Sequence, residues 1–475
     1  MDSETLLREI SDYCRMVGMA ESTFGRRAVN DGKFVSRLRY GGRVTLTTVE
    51  RVHSFITNGP QAPRERSPRH LALAAVDGVY RAPPVPVQPV SPLPPDERPE
   101  LNFRFFDNRQ KYLMFVNTCS EKWVISKRIA LELNSIRPRP PAIRVFDAGV
   151  GDGTVLTRLM RSMHRRFERM PFYIVGKEIS LEDVRLTLEK LPDRFMEHPA
   201  TVLTMTNLNY SESPWLLPSS PAMAAGLVWH EVALRGTSAA EFDEQIADLQ
   251  TFLSENWRAR VSPKSGNPVY EKPVVLVIYR EDCRFLLDSV LPRRGSVRAD
   301  YDLVLASQPY RARASAEFKA KRVVAPLTRS LAPGGRLIGI HSCGNDPGLE
   351  IVRGVWPDEN PFRINRHELL RTTKSELGKN ARHYNFNTYA DARSVFRYDM
   401  NTLPNEIDAG TSIGTSTLLA AWNAATYVAQ IEDHRLTEAM ANDSYLQATR
   451  DVLRRHHGLW FLDESYVISR RNDLV

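Results

Sequence analysis

Residues 144–154 have the sequence Arg-Val-Phe-Asp-Ala-Gly-Val-Gly-Asp-Gly-Thr, in which an apolar run leads through Asp147 to three glycines at alternate positions. The apolar residues before the aspartate fit a buried strand, and those after the glycines fit one face of a helix. Gly149, Gly151 and Gly153 allow a sharp turn and let the backbone approach a ligand without a Cβ in the way. A strand, a glycine turn and a helix N-terminus in this order predict a cofactor-binding elbow.

A second strand is predicted at residues 172–180, Phe-Tyr-Ile-Val-Gly-Lys-Glu-Ile-Ser, with Glu178 at its end and a helix after it. A carboxylate at this position can accept hydrogen bonds from the two vicinal hydroxyls of a ribose. The interval from Gly153 to Glu178 is a little longer than the roughly 20 residues of the dinucleotide fingerprint, and an extended first helix accounts for the difference. Residues 200–207 predict a third strand that ends near Asn207.

The Gly-x-Gly-x-Gly spacing, with an aspartate two residues before the first glycine, resembles motif I of the class I S-adenosylmethionine-dependent methyltransferases. The resemblance covers residues 101–345 approximately, because residues 299–308 resemble the fourth strand of that family and residues 331–340 its Pro-Gly-Gly turn and fifth strand. It implies a fold class of α/β type: a Rossmann-like class I methyltransferase sheet with helices on both faces and large insertions, preceded by a small all-α domain.

The resemblance also implies a cofactor, S-adenosyl-L-methionine, and a set of residues that bind it. Glu178 takes the position of the family's ribose-binding acid, and Asn207 is the candidate to meet the adenine amino group. The implied cofactor-binding residues are Asp147, Gly149, Gly151, Gly153, Glu178 and Asn207.

Residues 307–310, Ser-Gln-Pro-Tyr, partly resemble the Asp/Asn/Ser-Pro-Pro-aromatic motif of amino-methylating DNA and protein methyltransferases. The resemblance implies that Ser307 accepts a hydrogen bond from the target nitrogen and that Tyr310 stacks on a planar acceptor. Gln308 stands where the motif has its first proline, so a plain strand-to-loop transition is the alternative. The other polar candidates are His341, Cys343 and an acid–base pair made of His230 and Glu231.

Size and composition favour a globular protein of two or three domains, since the chain has 475 residues, of which 42% are hydrophobic and 25% charged. No apolar run approaches the length of a membrane span, and the acidic N-terminus lacks a secretory pattern. The four cysteines lie far apart without metal or pairing spacing, which predicts free thiols and a cytoplasmic location. No metal-ligand pattern is found. The net charge of +8 is compatible with a polyanionic partner.

Three regions differ in composition. Residues 1–58 predict a helix-turn-helix-like helical domain, residues 59–100 a linker that holds 11 of the 31 prolines, and residues 101–475 the methyltransferase domain. This last region has insertions at about 211–297 and 346–458. A strand-like run at residues 225–232 competes with residues 299–308 for the place of the fourth strand, and residues 459–470 predict a final antiparallel strand.

The order of helices in residues 1–58 resembles the helix-turn-helix domains of phage-repressor type, in which one helix enters the major groove. Basic residues crowd the middle of this segment, as a contact with a phosphate backbone requires. The alternative is a docking module with a solvated basic face. The candidate nucleic-acid-binding residues are Arg26, Arg27, Lys33, Arg37 and Arg39.

These patterns together predict a methyltransferase that transfers a methyl group from S-adenosylmethionine to a small-molecule or lipid acceptor. Two alternatives remain open: a nucleic-acid methyltransferase targeted by the helix-turn-helix, and a DNA-binding regulator that senses the cofactor. The methyl acceptor is the expected partner, with DNA as a second one through the N-terminal domain.

Overall fold

The computed structural model describes residues 3–17, 19–29, 31–39, 46–58, 109–262, 267–402, 407 and 412–472. The predicted linker at residues 59–100 lies outside the described residues, and so do the first residues of the predicted methyltransferase domain. The described chain forms two compact units, one made of the helices before residue 59 and one that starts at residue 109. The domain boundaries 1–58, 59–100 and 101–475 stay predictions.

The N-terminal unit consists of four helices: α1 Ser3–Val17, α2 Glu21–Val29, α3 Phe34–Arg39 and α4 Leu46–Asn58. They pack around a small core in which Phe24 makes edge-to-face contacts with Tyr13 and Phe55, with ring centroids 5.7 and 5.3 Å apart. The small all-α character predicted for this part of the sequence is confirmed. Whether this unit binds DNA is a separate question, because the fold alone does not define a partner.

The second unit surrounds a large sheet. Its helices are α5 Arg109–Thr118, α6 Glu121–Ala130, α7 Thr154–Arg166, α8 Leu181–Leu188, α9 Pro192–Glu197, α10 Pro221–Ala225, α11 Ala239–Ala247, α12 Gln250–Asn256, α13 Arg284–Leu287, α14 Ala316–Lys319, α15 Ala325–Arg329, α16 Pro347–Val355, α17 Arg366–Leu377, α18 Asp391–Ser394, α19 Thr415–Val428, α20 Asp433–Ala439 and α21 Ser444–His456.

The strands are β1 Ile143–Asp147, β2 Phe172–Lys177, β3 Thr201–Thr206, β4 Val228–Leu234, β5 Ala259–Val261, β6 Pro268–Tyr270, β7 Val274–Arg280, β8 Tyr301–Ser307, β9 Leu331–Ser342, β10 Tyr384–Asn387, β11 Val395–Asp399 and β12 Trp460–Arg470. The main sheet has the order β10-β12-β9-β8-β1-β2-β3-β7-β4, and β11 also pairs with β12. Strands β3, β2, β1, β8 and β9 are parallel, whereas β12 runs antiparallel to β9, as the sequence predicts for the final strand.

The fourth position of the parallel sheet belongs to β8, which pairs directly with β1, Val145 opposite Leu303. The competing run at residues 225–232 contributes to β4, and this strand lies at the far edge of the sheet beyond β7. The alternative assignment of the fourth strand is therefore wrong. Antiparallel pairing of β7 with β3 extends the sheet at that edge, so the first insertion adds two strands to it.

Successive residues of the central strands point to opposite faces, and both faces are covered. Val145 packs with Leu156 of α7 on one face, while Phe146 packs in a second core with Leu327 of α15 on the other. A third core is built mainly by α5, α16, α19 and α21. The predicted fold class, an α/β Rossmann-like sheet with helices on both faces, is confirmed by this topology. Among the described residues, no helix combines the length and the apolar character needed to cross a membrane.

Candidate functional site

The glycine loop follows β1 at the carboxyl edge of the sheet, where Asp147 Oδ1 accepts a hydrogen bond from the N–H of Gly149 at 3.1 Å. Gly151 and Gly153 have positive φ angles of 56° and 78°, a conformation that favours glycine. A Cβ added to Gly149 would have no atom within 4 Å, whereas one on Gly153 would meet Thr187 at 2.8 Å. Gly153 is thus required for packing against α8, and Gly149 leaves the loop backbone open to a ligand.

Glu178 follows β2 and binds the loop. Its Oε2 accepts from the N–H of Gly151 at 2.9 Å, and its Oε1 accepts from the N–H groups of Ile179 and Ser180 at 2.8 and 2.9 Å. A carboxylate has about four acceptor positions, so roughly one remains for a ribose hydroxyl. The sequence predicts hydrogen bonds from two ribose hydroxyls. To accept both, Glu178 must give up one of its three hydrogen bonds from backbone N–H groups.

Trp257 supports this acid from the first insertion, since its buried Nε1 donates to the carbonyl oxygen of Glu178 at 3.0 Å. Asp147, the other acid of the loop, is almost fully buried, and burial raises its pKa to about 6, with Glu178 adding to the effect and the Gly149 N–H opposing it. The contribution of Trp257 was not found from the sequence, because it lies 79 residues from Glu178 in a separate insertion.

Two side chains of α5 and α6 lie over the loop. The hydroxyl of Tyr112 is 3.4 Å from Asp152 Oδ1 and 3.2 Å from the position of a Cβ on Gly151. Burial raises the pKa of Asp152, yet the neighbouring Lys122 and Lys190 bring it below its ordinary value. Elsewhere in α5 and α6, Phe115 and Ile125 are buried in the core, and Trp123 is 45% exposed. Tyr112 is therefore the aromatic residue that contacts the glycine loop.

Asn207 has a different environment from the one predicted. Its Nδ2 donates to the carbonyl oxygen of Lys272 at 2.8 Å, and its Oδ1 accepts from the N–H of Val274 at 2.9 Å. The residue is 1% exposed, so both ends of the amide are used to join β3 to β7. The assignment of Asn207 to an adenine amino group is not supported, because β7 pairs with β3 and supplies the partners that a ligand would otherwise provide.

Tyr310 is buried and does not present its ring to an acceptor. Its hydroxyl lies 2.8 Å from His341 Nδ1 and 3.2 Å from the hydroxyl of Tyr466, and Lys319 Nζ stands 4.9 Å from the ring centroid. The predicted stacking of Tyr310 on a planar acceptor is therefore corrected: β12 covers this residue with Tyr466. Ser307, at the end of β8, has a buried hydroxyl with no hydrogen-bond partner among the described residues.

Gln308 has a φ of 47°, which is uncommon for a residue with a side chain. Its Nε2 donates to Ser342 Oγ at 3.0 Å and to Asp463 Oδ1 at 3.3 Å. Asp463 is completely buried, and its Oδ2 has no hydrogen-bond partner among the described residues. Strain and unsatisfied polar atoms cluster at functional sites, which makes this position a candidate for chemistry.

Glu121, at the start of α6, is the second buried acid near Gln308. Burial, followed by the charge of Glu121, raises the pKa of Asp463 well above its ordinary value, and burial also raises the pKa of Glu121. Burial therefore favours the protonated, neutral form of both carboxyl groups. The sequence contains no signal for this pair, because the two residues are more than 300 positions apart.

The remaining polar candidates are distributed differently. His230 stacks on Phe252, with ring centroids 4.4 Å apart, while Glu231 accepts from the hydroxyl of Tyr279 at 2.9 Å. The expected acid–base pair is wrong, since neighbours on a strand point to opposite faces. His341 Nε2 lies 2.8 Å from Glu464 Oε1, and burial lowers the pKa of His341 and raises that of Cys343. No cluster of potential metal ligands is found among the described residues.

The chain matches no model of a known protein family and no curated protein sequence. Among solved structures it is similar to a geranyl diphosphate methyltransferase in complex with GPP and sinefungin, at 13% identity and a TM-score of 0.28, over 73% of this chain and 78% of the other. An rRNA methyltransferase, aviRa from Streptomyces viridochromogenes, is similar at 14% identity and a TM-score of 0.18, over 46% and 72%. Values this low carry no conclusion about cofactor or acceptor, and the fold rests on the strand order above.

Proposed function

We propose that this protein is a methyltransferase that uses S-adenosylmethionine. The observation that carries the proposal is the hydrogen bond between Gly151 of the loop after β1 and Glu178 after β2, at the carboxyl edge of the sheet. In open α/β sheets, ligands bind at this edge where the strand order reverses, and here the order reverses between β1 and β8.

The residues present fit such a cofactor. The backbone at Gly149 is open on its Cβ side, and Glu178 retains an acceptor position for a ribose hydroxyl. Tyr112 lies against the same loop and Asp152 is part of it, which gives the site an aromatic wall and a second carboxylate. When bound, S-adenosylmethionine would supply an electrophilic methyl group on a sulfonium.

The acceptor is proposed to lie near the end of β8 and the beginning of β12. Methyl transfer mainly requires alignment of the two reactants, and an O–H or N–H acceptor must also lose a proton. Among the described residues, Asp463 Oδ2 is a buried oxygen atom without a hydrogen-bond partner. Burial raises the pKa values of Asp463 and Glu121, and a raised pKa favours a carboxyl group that takes up a proton. Ser307, with its free hydroxyl, remains a candidate to orient the acceptor.

A small-molecule acceptor is favoured over a nucleic-acid base, because Tyr310 is enclosed by Tyr466, His341 and Lys319.

For the N-terminal unit we propose DNA binding through α2 and α3, although acidic residues of the same unit compensate part of its positive charge. Arg37 pairs with Asp31 and Arg39 with Glu21, each at 2.8 Å. Arg26, Arg27 and Lys33 are therefore stronger candidates for phosphate contacts than the paired residues Arg37 and Arg39.

The experiment is transfer of a radiolabelled methyl group from S-adenosylmethionine into fractionated cell extract. Label is expected in small metabolites with the natural protein and to be strongly reduced with Asp463→Asn, which keeps the shape of the side chain. Label in nucleic acid would favour the targeted nucleic-acid enzyme. If the cofactor does not bind in titration calorimetry, the proposed function is wrong.

A further inference from the structure

A cavity of about 630 Å³ lies beside the carboxyl end of β9. Its walls come from the loop that begins at Cys343, from Phe362 and the start of α17, and from α18, β11 and β12. Small-molecule sites typically have volumes of about 300–1,000 Å³, so the cavity has the size of a metabolite site. None of the residues assigned above to the cofactor contributes to its lining.

Arg366 is the central charge of this cavity and is held from two sides. Its Nη1 donates to Glu464 Oε2 at 2.8 Å and its backbone N–H to Glu464 Oε1 at 2.7 Å, while Nη2 pairs with Asp391. The side chains of Arg366 and Glu464 are 6% and 4% exposed, whereas that of Asp391 is 80% exposed. The buried acid fixes the guanidinium, and the exposed acid is a partner that can be exchanged at little cost.

The cavity also holds donors without an acid partner. Nε of Arg366 is buried and has no hydrogen-bond partner among the described residues. Arg363, which also lines the cavity, is exposed and donates from Nε to the carbonyl oxygen of Asn360 at 3.2 Å. Guanidinium groups match carboxylate and phosphate oxygens in a bidentate fashion. The arrangement therefore suits an oxyanion that takes the place of Asp391.

The cavity lies on the same edge of the sheet as the glycine loop. Strands are spaced about 4.8 Å apart, and the order β1-β8-β9 puts the end of β9 roughly two strand spacings from the end of β1. Glu464 further links the cavity to Tyr310, because His341 contacts both residues at 2.8 Å. The cavity at Arg366 and the glycine loop are therefore close enough for one molecule of metabolite size to reach from the first toward the second.

We propose that this cavity binds the methyl acceptor and that the acceptor carries a carboxylate or phosphate group, which pairs with Arg366 in place of Asp391 and with Arg363 as a second cation. The assignment to the methyl acceptor rests on the proposed function. The oxyanion site itself does not, since it depends only on the cavity and its arginines.

The test is titration calorimetry of the full chain with inorganic phosphate and with acetate, against chloride at matched ionic strength. Asp391→Asn should tighten binding by about two- to fivefold, because the oxyanion no longer displaces an ion pair of the size found at exposed sites. Arg363→Gln should weaken it. The matched control is Asp288→Asn, which removes a carboxylate that is also exposed, at 70% against 80% for Asp391, and that pairs with Arg293 outside the cavity lining. If phosphate binds more tightly than acetate, the site prefers a phosphate group; if acetate binds more tightly, it prefers a carboxylate.

Equal affinities in Asp391→Asn, Asp288→Asn and the natural protein would overturn the proposal, and so would binding no stronger than that of chloride. Binding of S-adenosylhomocysteine is measured in the same samples. If S-adenosylhomocysteine does not bind but the oxyanions bind as expected, the proposed methyltransferase function is wrong. The assignment of the cavity to the methyl acceptor is then wrong as well. In the labelling experiment, a labelled product that an anion exchanger retains supports the assignment, and one that passes through contradicts it.

Discussion

The backbone N–H of Gly151 donates to Oε2 of Glu178 at 2.9 Å, so that one carboxylate holds the loop after β1 against the end of β2. The same side chain also accepts from two N–H groups of its own segment, at Ile179 and Ser180. The acid proposed to bind a ribose is thus also the residue that fixes the glycine loop. Cofactor affinity and local stability are therefore expected to change together when it is altered.

Glu178→Ala should weaken binding of S-adenosylmethionine at least tenfold and lower the melting temperature. The physical reason is that buried N–H groups lose an acceptor, at a cost of about 1–3 kcal/mol each. Titration calorimetry and thermal unfolding measure the two effects. Glu182→Ala is the matched control, since Glu182 is exposed and pairs with Arg185 on the surface of α8. Equal cofactor affinity in both variants would remove Glu178 from the site.

Gly151→Ala should reduce both stability and cofactor affinity. Its φ of 56° is unfavourable for a residue with a Cβ, by about 1–2 kcal/mol, and the added carbon would lie 3.2 Å from the hydroxyl of Tyr112. Gly295→Ala is the control, because Gly295 has a φ of 77° with no atom within 4 Å of the added carbon. Urea unfolding should find both variants destabilised, while calorimetry should find weaker cofactor binding in Gly151→Ala alone. Unchanged binding there would count against the glycine loop as the cofactor site.

Tyr310→Ala should destabilise the protein by about 3–5 kcal/mol, as expected for loss of a large buried aromatic side chain. Tyr310→Phe keeps the ring and removes only the hydroxyl bonded to His341 and Tyr466, which should cost about 1 kcal/mol. Urea unfolding measures both values. Methyl transfer by Tyr310→Phe should stay near that of the natural protein. A stable Tyr310→Ala variant with reduced activity would instead restore this residue as an acceptor-stacking group.

The pH dependence of stability should contain a contribution from Asp147. Burial raises its pKa to about 6 in the folded protein, above the value near 3.9 of an unfolded chain. The folded state therefore binds the proton more tightly, and this contribution to stability is lost as the pH rises from about 4 to about 6. Asp147→Asn removes the titration, so the stability of the variant relative to the natural protein should increase over that interval, by up to about 3 kcal/mol. Parallel curves in urea unfolding at pH 4 to 7 would show that Asp147 keeps an ordinary pKa.

Duplex DNA should bind the full chain with an affinity that falls steeply as salt rises. Replacing both Arg26 and Arg27 by Ala should reduce the slope of log affinity against log salt by about 1.8, the value for two phosphate contacts. Replacing Arg37 and Arg39 should have a smaller effect, since each is paired with an acid of the same unit. Fluorescence anisotropy measures both slopes. Absence of DNA binding would favour the protein-docking alternative.

Local sequence patterns were sufficient for β1, β2 and β3 and for the glycine loop after β1. The apolar run before Asp147 and the alternating glycines predict β1 and its turn, because burial on both faces and positive φ angles restrict the residues that can occupy these positions. The sequence also predicted that Glu178 follows β2, but its hydrogen bond with the N–H of Gly151 became visible only in the structure. Two runs competed for the fourth strand, since periodicity does not specify which strand pairs with which.

Only the tertiary structure decided which partners contact side chains that come from distant segments of the chain. Asn207 was predicted to face a ligand, but Lys272, just before β7, and Val274, its first residue, supply its two hydrogen bonds. Tyr310 was predicted to be available, but β12, more than 150 residues later, covers it. The acid pair of Glu121 and Asp463 and the oxyanion cavity at Arg366 depend on the same strand. The sequence by itself determined where the chain turns and which faces are apolar, because these depend on neighbouring residues. Which polar groups are satisfied within the protein, and which remain for a ligand, depends on contacts across the fold.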